Sequence, residues 1–131
     1  MLVGSRNYRT IEASEDHSYI KIIDQTLLPF KLKIIHLRTL KGVVEAIKTM
    51  QVRGAPLIGV TAAYGFALSM NLDSSNNSLY KCKEGLIGAR PTAINLSWAV
   101  NQIYDELIKA IPEERVVLSW NLANRLANED I

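Results

Sequence analysis

Gln51-Val52-Arg53-Gly54-Ala55-Pro56-Leu57-Ile58-Gly59-Val60-Thr61-Ala62-Ala63-Tyr64-Gly65-Phe66-Ala67-Leu68-Ser69-Met70 is the stretch that decides the fold. After Arg53 it runs to Met70 without a charged side chain. A helix that is apolar on every face must be buried, in a protein core or in a membrane. From Gly54 onward it only reaches the lower edge of the roughly 17–25 residues that a spanning helix needs. Much of it is Gly, Ala, Ser or Thr, so its transfer into lipid is weakly favourable. A buried core helix is the expectation. Its start has the parts of an anion site. Pro56 suits a first helical turn, where a missing N–H costs nothing. Gly54 and Ala55 let a ligand approach the backbone, and Arg53 adds a fork of donors beside the unpaired N–H groups of the helix end.

Upstream of this helix the chain reads as β. Arg9-Thr10-Ile11-Glu12 and Tyr19-Ile20-Lys21-Ile22-Ile23-Asp24 are rich in β-branched and aromatic residues. The polar cluster Ser14-Glu15-Asp16-His17-Ser18 between them suits a hairpin turn. Leu28-Pro29-Phe30 is a breaker, and Lys31-Leu32-Lys33-Ile34-Ile35-His36-Leu37 is expected as a third strand. From Thr39, a suitable N-cap, the period changes. Leu40, Val43, Val44, Ile47 and Met50 make a helical stripe, and Gly54 is expected to close that helix.

Downstream, Asn71 to Ser78 reads as a mobile polar linker. Leu79 to Gly88 is expected as a short helix with Leu79, Cys82, Leu86 and Ile87 inward. Ala89-Arg90-Pro91-Thr92-Ala93 again sets an arginine beside a proline at a helix start. The helix that follows places Leu96, Ala99, Val100, Ile103 and Leu107 on one face. Pro112 opens a last helix, with Glu113 and Glu114 where the macrodipole favours carboxylates. Leu118, Trp120, Ala123 and Leu126 are its expected buried side. The fold class is therefore α+β: a small three-stranded antiparallel sheet at the N-terminus, then a bundle of about five helices.

The 131 residues are 48% hydrophobic and 21% charged, a globular composition, and are expected to form a single domain. A net charge of +2 without a basic stripe argues against nucleic acid as a partner. Met1-Leu2-Val3-Gly4-Ser5-Arg6 lacks the apolar run of a signal peptide, so a cytoplasmic location is expected. The one cysteine, Cys82, excludes an internal disulfide and a multi-cysteine metal site. Its neighbours Lys81 and Lys83 could lower a thiol pKa, but its helical spacing with Leu79 and Leu86 favours a half-buried apolar role. His17 and His36 have no ligand partner at motif spacing, so no metal is implied. Asp105-Glu106 and Glu113-Glu114 are adjacent on helices and point apart, which argues against a working carboxylate pair.

Arg53-Gly54-Ala55-Pro56 and Arg90-Pro91-Thr92-Ala93 share a design. If the two helix starts converge, backbone N–H groups and two guanidinium forks face one point that would hold a phosphate. If they do not, each arginine lies in solvent beside an ordinary helix start. Neither reading supplies any chemistry.

The same two stretches carry a family resemblance. Gln51 to Gly65 and Ala89-Arg90-Pro91-Thr92-Ala93-Ile94-Asn95-Leu96-Ser97-Trp98-Ala99 resemble the amino-terminal domain of methylthioribose-1-phosphate isomerase. That family is related to the alpha, beta and delta regulatory subunits of eukaryotic translation initiation factor two-B. Ile23-Asp24-Gln25-Thr26-Leu27-Leu28-Pro29 and Ala46-Ile47-Lys48-Thr49-Met50 share the resemblance, which extends from about Thr10 to the chain end. Ala13 and Ser97 depart from the family pattern, at the cost of some packing.

The resemblance implies an aldose–ketose isomerase of methionine salvage that uses neither metal nor nucleotide. It makes Arg53, Gly54, Ala55 and Arg90 substrate contacts. It also implies a Rossmann-like second domain carrying a catalytic cysteine and aspartate. Neither residue has a counterpart here, and Cys82 precedes the second motif. The sequence thus reads as a truncated homologue that keeps part of a sugar-phosphate site and no catalytic residue. The alternative is a regulatory or interaction module that meets a second copy or a separate catalytic domain through exposed apolar surface. A chain with no present activity is the third reading.

Overall fold

The computed structural model describes residues 2–3, 6–7 and 9–130. The sequence expectations for Met1, Gly4, Ser5 and Ile131 lie outside them. Strands β3 (Ile11–Ala13), β4 (Ile20–Ile23) and β5 (Ile34–Leu37) form an antiparallel sheet in that order. A brief pairing of β1 (Leu2–Val3) with β2 (Arg6–Asn7) precedes it, which the sequence reading did not anticipate. Ile11 lies opposite Ile22, and Ile20 opposite Leu37. Because strand side chains alternate, this register turns Ile11, Ile20, Ile22 and Leu37 to the core. Glu12, Lys21 and His36 occupy the wet face, where Lys21 pairs with Glu12 at 3.6 Å and the His36 ring stacks on Tyr19.

Five α-helices follow: α1 (Leu40–Lys48), α2 (Ala55–Leu72), α3 (Asn76–Ala89), α4 (Ile94–Lys109) and α5 (Pro112–Asp130). α2 is the axis, and α1, α3, α4 and α5 all pack on it. By length and composition it could cross a membrane, but 72% of it is buried among the other helices, as a core helix must be. Small residues let its neighbours come close. A Cβ on Gly65 would stand 3.1 Å from Val43 Cγ1 and 3.2 Å from Leu86 Cδ2. Thr39 caps α1 as expected, its Oγ1 accepting from the Gly42 N–H.

The structure corrects several boundaries. α1 ends at Lys48, well before Gly54, because Met50 takes a left-handed conformation (φ 64°) that reverses the chain. Met50 is consequently exposed and leaves the inward stripe. The third strand is shorter than expected and begins at Ile34. Asn71 to Ser78 is no long linker. Asn71 and Leu72 finish α2, Ser75 caps α3, and only three residues lie between the helices. The connection is also anchored. Asn71 Oδ1 accepts from Trp120 Nε1, its Nδ2 donates to the His17 carbonyl, and the His17 ring stacks on Trp120.

α5 buries Trp120 and Ala123 as expected, while Leu118 and Leu126 are only partly covered. It also buries a charge that the sequence reading missed. Arg115 is 2% exposed and donates to the carbonyls of Leu107, Ile108 and Ser74. Leu107 and Ile108 end α4, so the guanidinium sits at the negative end of that helix dipole.

Candidate functional site

Residues Gly54, Ala55 and Ile58 at the start of α2 face Arg90, Thr92, Asn95 and Leu96 around the start of α4, across a cleft of about 340 Å³. The two starts therefore converge. Of the four residues singled out in the sequence, Gly54, Ala55 and Arg90 line this cleft. Arg53 does not: it is exposed on the turn just before it.

The two starts are built differently. Pro56 lies in the first turn of α2, and Gly54 precedes it at φ 92°, a conformation that L side chains rarely adopt. Pro91, by contrast, sits in a turn ahead of α4, closed by the Ala93 N–H to the Arg90 carbonyl at 3.0 Å. α4 begins only at Ile94, so Arg90-Pro91 is not the immediate helix start that the sequence suggested.

Electrically the two ends agree. Neither has a side-chain cap, and neither carries an acidic residue in its first turn. The first intrahelical donors are Ile58, to the Gly54 carbonyl, and Ser97, to the Ala93 carbonyl. The N–H groups of Ala55 and Leu57, and those of Ile94, Asn95 and Leu96, precede them without a helical acceptor. Two positive helix ends thus meet at one cleft, and among the described residues neither Arg53 nor Arg90 forms an ion pair. Such an arrangement can hold an anion. It supplies no general acid or base.

A second, larger cleft of about 390 Å³ adjoins the first, with Ala55 and Asn95 lining both. Its walls come from α2, α4 and α5: Gly59, Val60, Ala99, Ile103 and Leu122 make it apolar, with Glu106 and Arg125 among its polar groups. Trp98 lines it while remaining 64% exposed. Thr92 and Asn95 entered the sequence reading only as members of motifs, not as site residues, and this second cleft escaped it. Trp98 was the available signal, since it is a bulky aromatic off the inward stripe of its helix.

Cys82 lies away from both clefts and is fully buried. Desolvation pushes its thiol up to about 12, against a smaller lowering by a hydrogen bond with Ser69. Lys83 extends over the Tyr104 ring instead of activating the thiol. The half-buried apolar role is thus the right one, with burial deeper than expected. No group of three or more His, Cys, Asp or Glu capable of holding a metal occurs among the described residues.

Known proteins align with this chain along its whole length. A methylthioribose-1-phosphate isomerase from Escherichia coli is 46% identical over 131 residues, covering 100% of this chain and 35% of that protein. One from Sinorhizobium medicae is 47% identical over 132 residues, again with 100% of this chain and 36% of the relative covered. The crystal structure of 5-methylthioribose 1-phosphate isomerase from Pyrococcus horikoshii superposes with a TM-score of 0.81 at 35% identity, over 92% of this chain and 36% of that one. This chain resembles the amino-terminal domain of methylthioribose-1-phosphate isomerase. Translation initiation factor eIF-2B subunit delta from A. fulgidus superposes equally well, with a TM-score of 0.83 at 34% identity over 95% of this chain and 38% of that one. No family model matches. The chain spans about a third of the length of the isomerases that it matches, at 35% and 36% of the first two.

Proposed function

We propose that these 131 residues contribute part of the sugar-phosphate site of a methylthioribose-1-phosphate isomerase and do not themselves move the proton. The phosphate lies in the cleft between the starts of α2 and α4. The N–H groups around Ala55 and Asn95 and the Arg90 guanidinium hold it, and the flexible Arg53 side chain folds over from the rim. Hydrogen bonds to a charged group are worth about 1.5–3 kcal/mol each, enough for binding without any chemistry. The observation that carries this reading is the convergence of two uncapped helix ends, with Gly54, Ala55 and Arg90, on a single cleft. The protonated, buried state of Cys82 supports the non-catalytic half, since a thiol raised to about 12 cannot serve as acid or base near neutrality. By family resemblance, the cysteine and aspartate that interconvert aldose and ketose belong to the second domain.

Titrating the purified chain with methylthioribose 1-phosphate while following its amide resonances tests the reading. Gly54, Ala55 and Asn95 are expected to move together, and Arg90→Ala to weaken binding about tenfold, the equivalent of one charge-assisted bond. Silent resonances would remove the site. Turnover of the sugar phosphate by this chain, lost in Arg53→Ala, would overturn the non-catalytic half.

A second reading, that of an interaction module like the initiation-factor subunit, draws on one observation. Ile94 and Trp98 stand one turn apart on α4, 83% and 64% exposed. Exposed apolar groups of this kind mark association surfaces when they are contiguous. Light scattering at rising protein concentration separates the two readings: a persistent monomer counts against this one.

A further inference from the structure

The turn that presents Gly54 and Ala55 is held from outside the bundle. Asp24 is 5% exposed at the end of β4. Its Oδ1 accepts from the Thr26 N–H at 2.9 Å and from the Thr26 hydroxyl at 2.6 Å. Its other oxygen, Oδ2, accepts from Gln51 Nε2 at 3.3 Å. Beside it, the Gln25 N–H donates to the Gln51 carbonyl at 2.9 Å. Gln51 is thus gripped by side chain and backbone between the two unusual conformations of its loop, Met50 at φ 64° and Gly54 at φ 92°. A bulky non-glycine residue stays left-handed only where its surroundings over-determine it.

From this grip we infer that Asp24 is a positioning residue for the anion cleft, acting through Gln51 to fix the backbone that leads into α2. The inference rests on the proposed phosphate site for its functional meaning, though its structural content does not. A carboxylate whose oxygens point at separate donors is a rigid bracket: Thr26 fixes its orientation and Gln51 receives it. Loss of the bracket frees the segment between Met50 and Ala55, whose N–H groups must converge with those of α4.

Asp24→Ala and Gln51→Ala test the role, read by thermal unfolding, by ligand-free amide resonances and by titration with methylthioribose 1-phosphate. Both variants are expected to stay folded, to shift the ligand-free Gly54 and Ala55 resonances and to bind about tenfold more weakly. Asp24→Asn is expected to restore binding, because the Gln51 amide can turn over and accept from the new Nδ2. Gln51→Glu sets two carboxylates face to face and should bind poorly, while combining it with Asp24→Asn should rescue binding. A merely structural role would lower the unfolding midpoint without this pattern of rescue. Unshifted Gly54 and Ala55 resonances in Asp24→Ala would overturn the inference, as would normal binding in the Gln51→Glu single variant. If Asp24→Ala fails to fold, the single and double Gln51→Glu variants decide. If the parent chain binds no sugar phosphate but the ligand-free resonances still shift and recover as described, the phosphate site falls and the positioning role stands.

Discussion

The helices that meet at the cleft, α2 and α4, are opposites in how they are held. α2 is enclosed beyond its first turn, with Leu57 through Met70 buried except for Gly59, which is partly covered. α4 buries only Leu96, Val100, Ile103 and Leu107, and turns Ile94 and Trp98 to solvent. One wall is the exposed first turn of a helix buried from Leu57 onward, whereas the other belongs to a helix attached along a single stripe. This division suits a cleft whose first wall sets a backbone geometry and whose second contributes side chains.

Substitutions can break this contrast at its strongest point. Phe66→Ala, in the middle of α2 at 0% exposure, is expected to cost about 3–5 kcal/mol in denaturant unfolding, much of the stability of a chain this size. Gly54→Ala forces a side chain onto a backbone at φ 92° and is expected to cost about 1–3 kcal/mol. It should also misalign the Ala55 N–H, so that the proposed sugar-phosphate binding falls in a variant that calorimetry still finds folded.

Alkaline pH offers a gentler probe of the sealed side. Desolvation raises Cys82 from an ordinary 9.0 to about 12 and Tyr64 from 10.0 to about 12. Each group stays protonated in the fold while the unfolded chain releases its proton, so stability is full below about pH 9 and falls as pH rises towards 12. The decline should shrink in Cys82→Ala when unfolding is followed across that window. At the small end, Trp98→Ala on the open wall is expected to change stability by no more than about 0.5 kcal/mol. A large loss there would mean that the α4 wall is as tightly held as the α2 wall.

The sequence made the sealed wall easier to read than the open one. An uninterrupted apolar run has only a core to go to, and Pro56 and Gly54 mark its start by their backbone limits. The hairpin and the α1 cap were legible for the same reason, since strand alternation and a threonine before a helical stripe are local signals. Pro91 misled because a proline fits a turn as readily as a first helical turn, and only the Ala93-to-Arg90 hydrogen bond distinguishes them. The Asn71 to Ser78 segment misled because its polar residues read as solvent-seeking. Asn71 is instead spent on Trp120 and His17, partners far away in the chain. Arg115 could not have been found in any window of sequence, because its acceptors come from α4 and from the connection before α3.

That buried arginine carries a consequence for cooperativity. Among the described residues, the guanidinium donates to carbonyls at the end of α4 and at Ser74. If the Ser74 segment opens alone the guanidinium loses one carbonyl partner, and if the end of α4 opens alone it loses two, each leaving a charged donor less well paired. The shared arginine therefore couples the opening of the two segments. Amide exchange at Asp73–Ser75 and at the α4–α5 junction should slow and quicken in step, as one unit of local unfolding that spans distant parts of the chain.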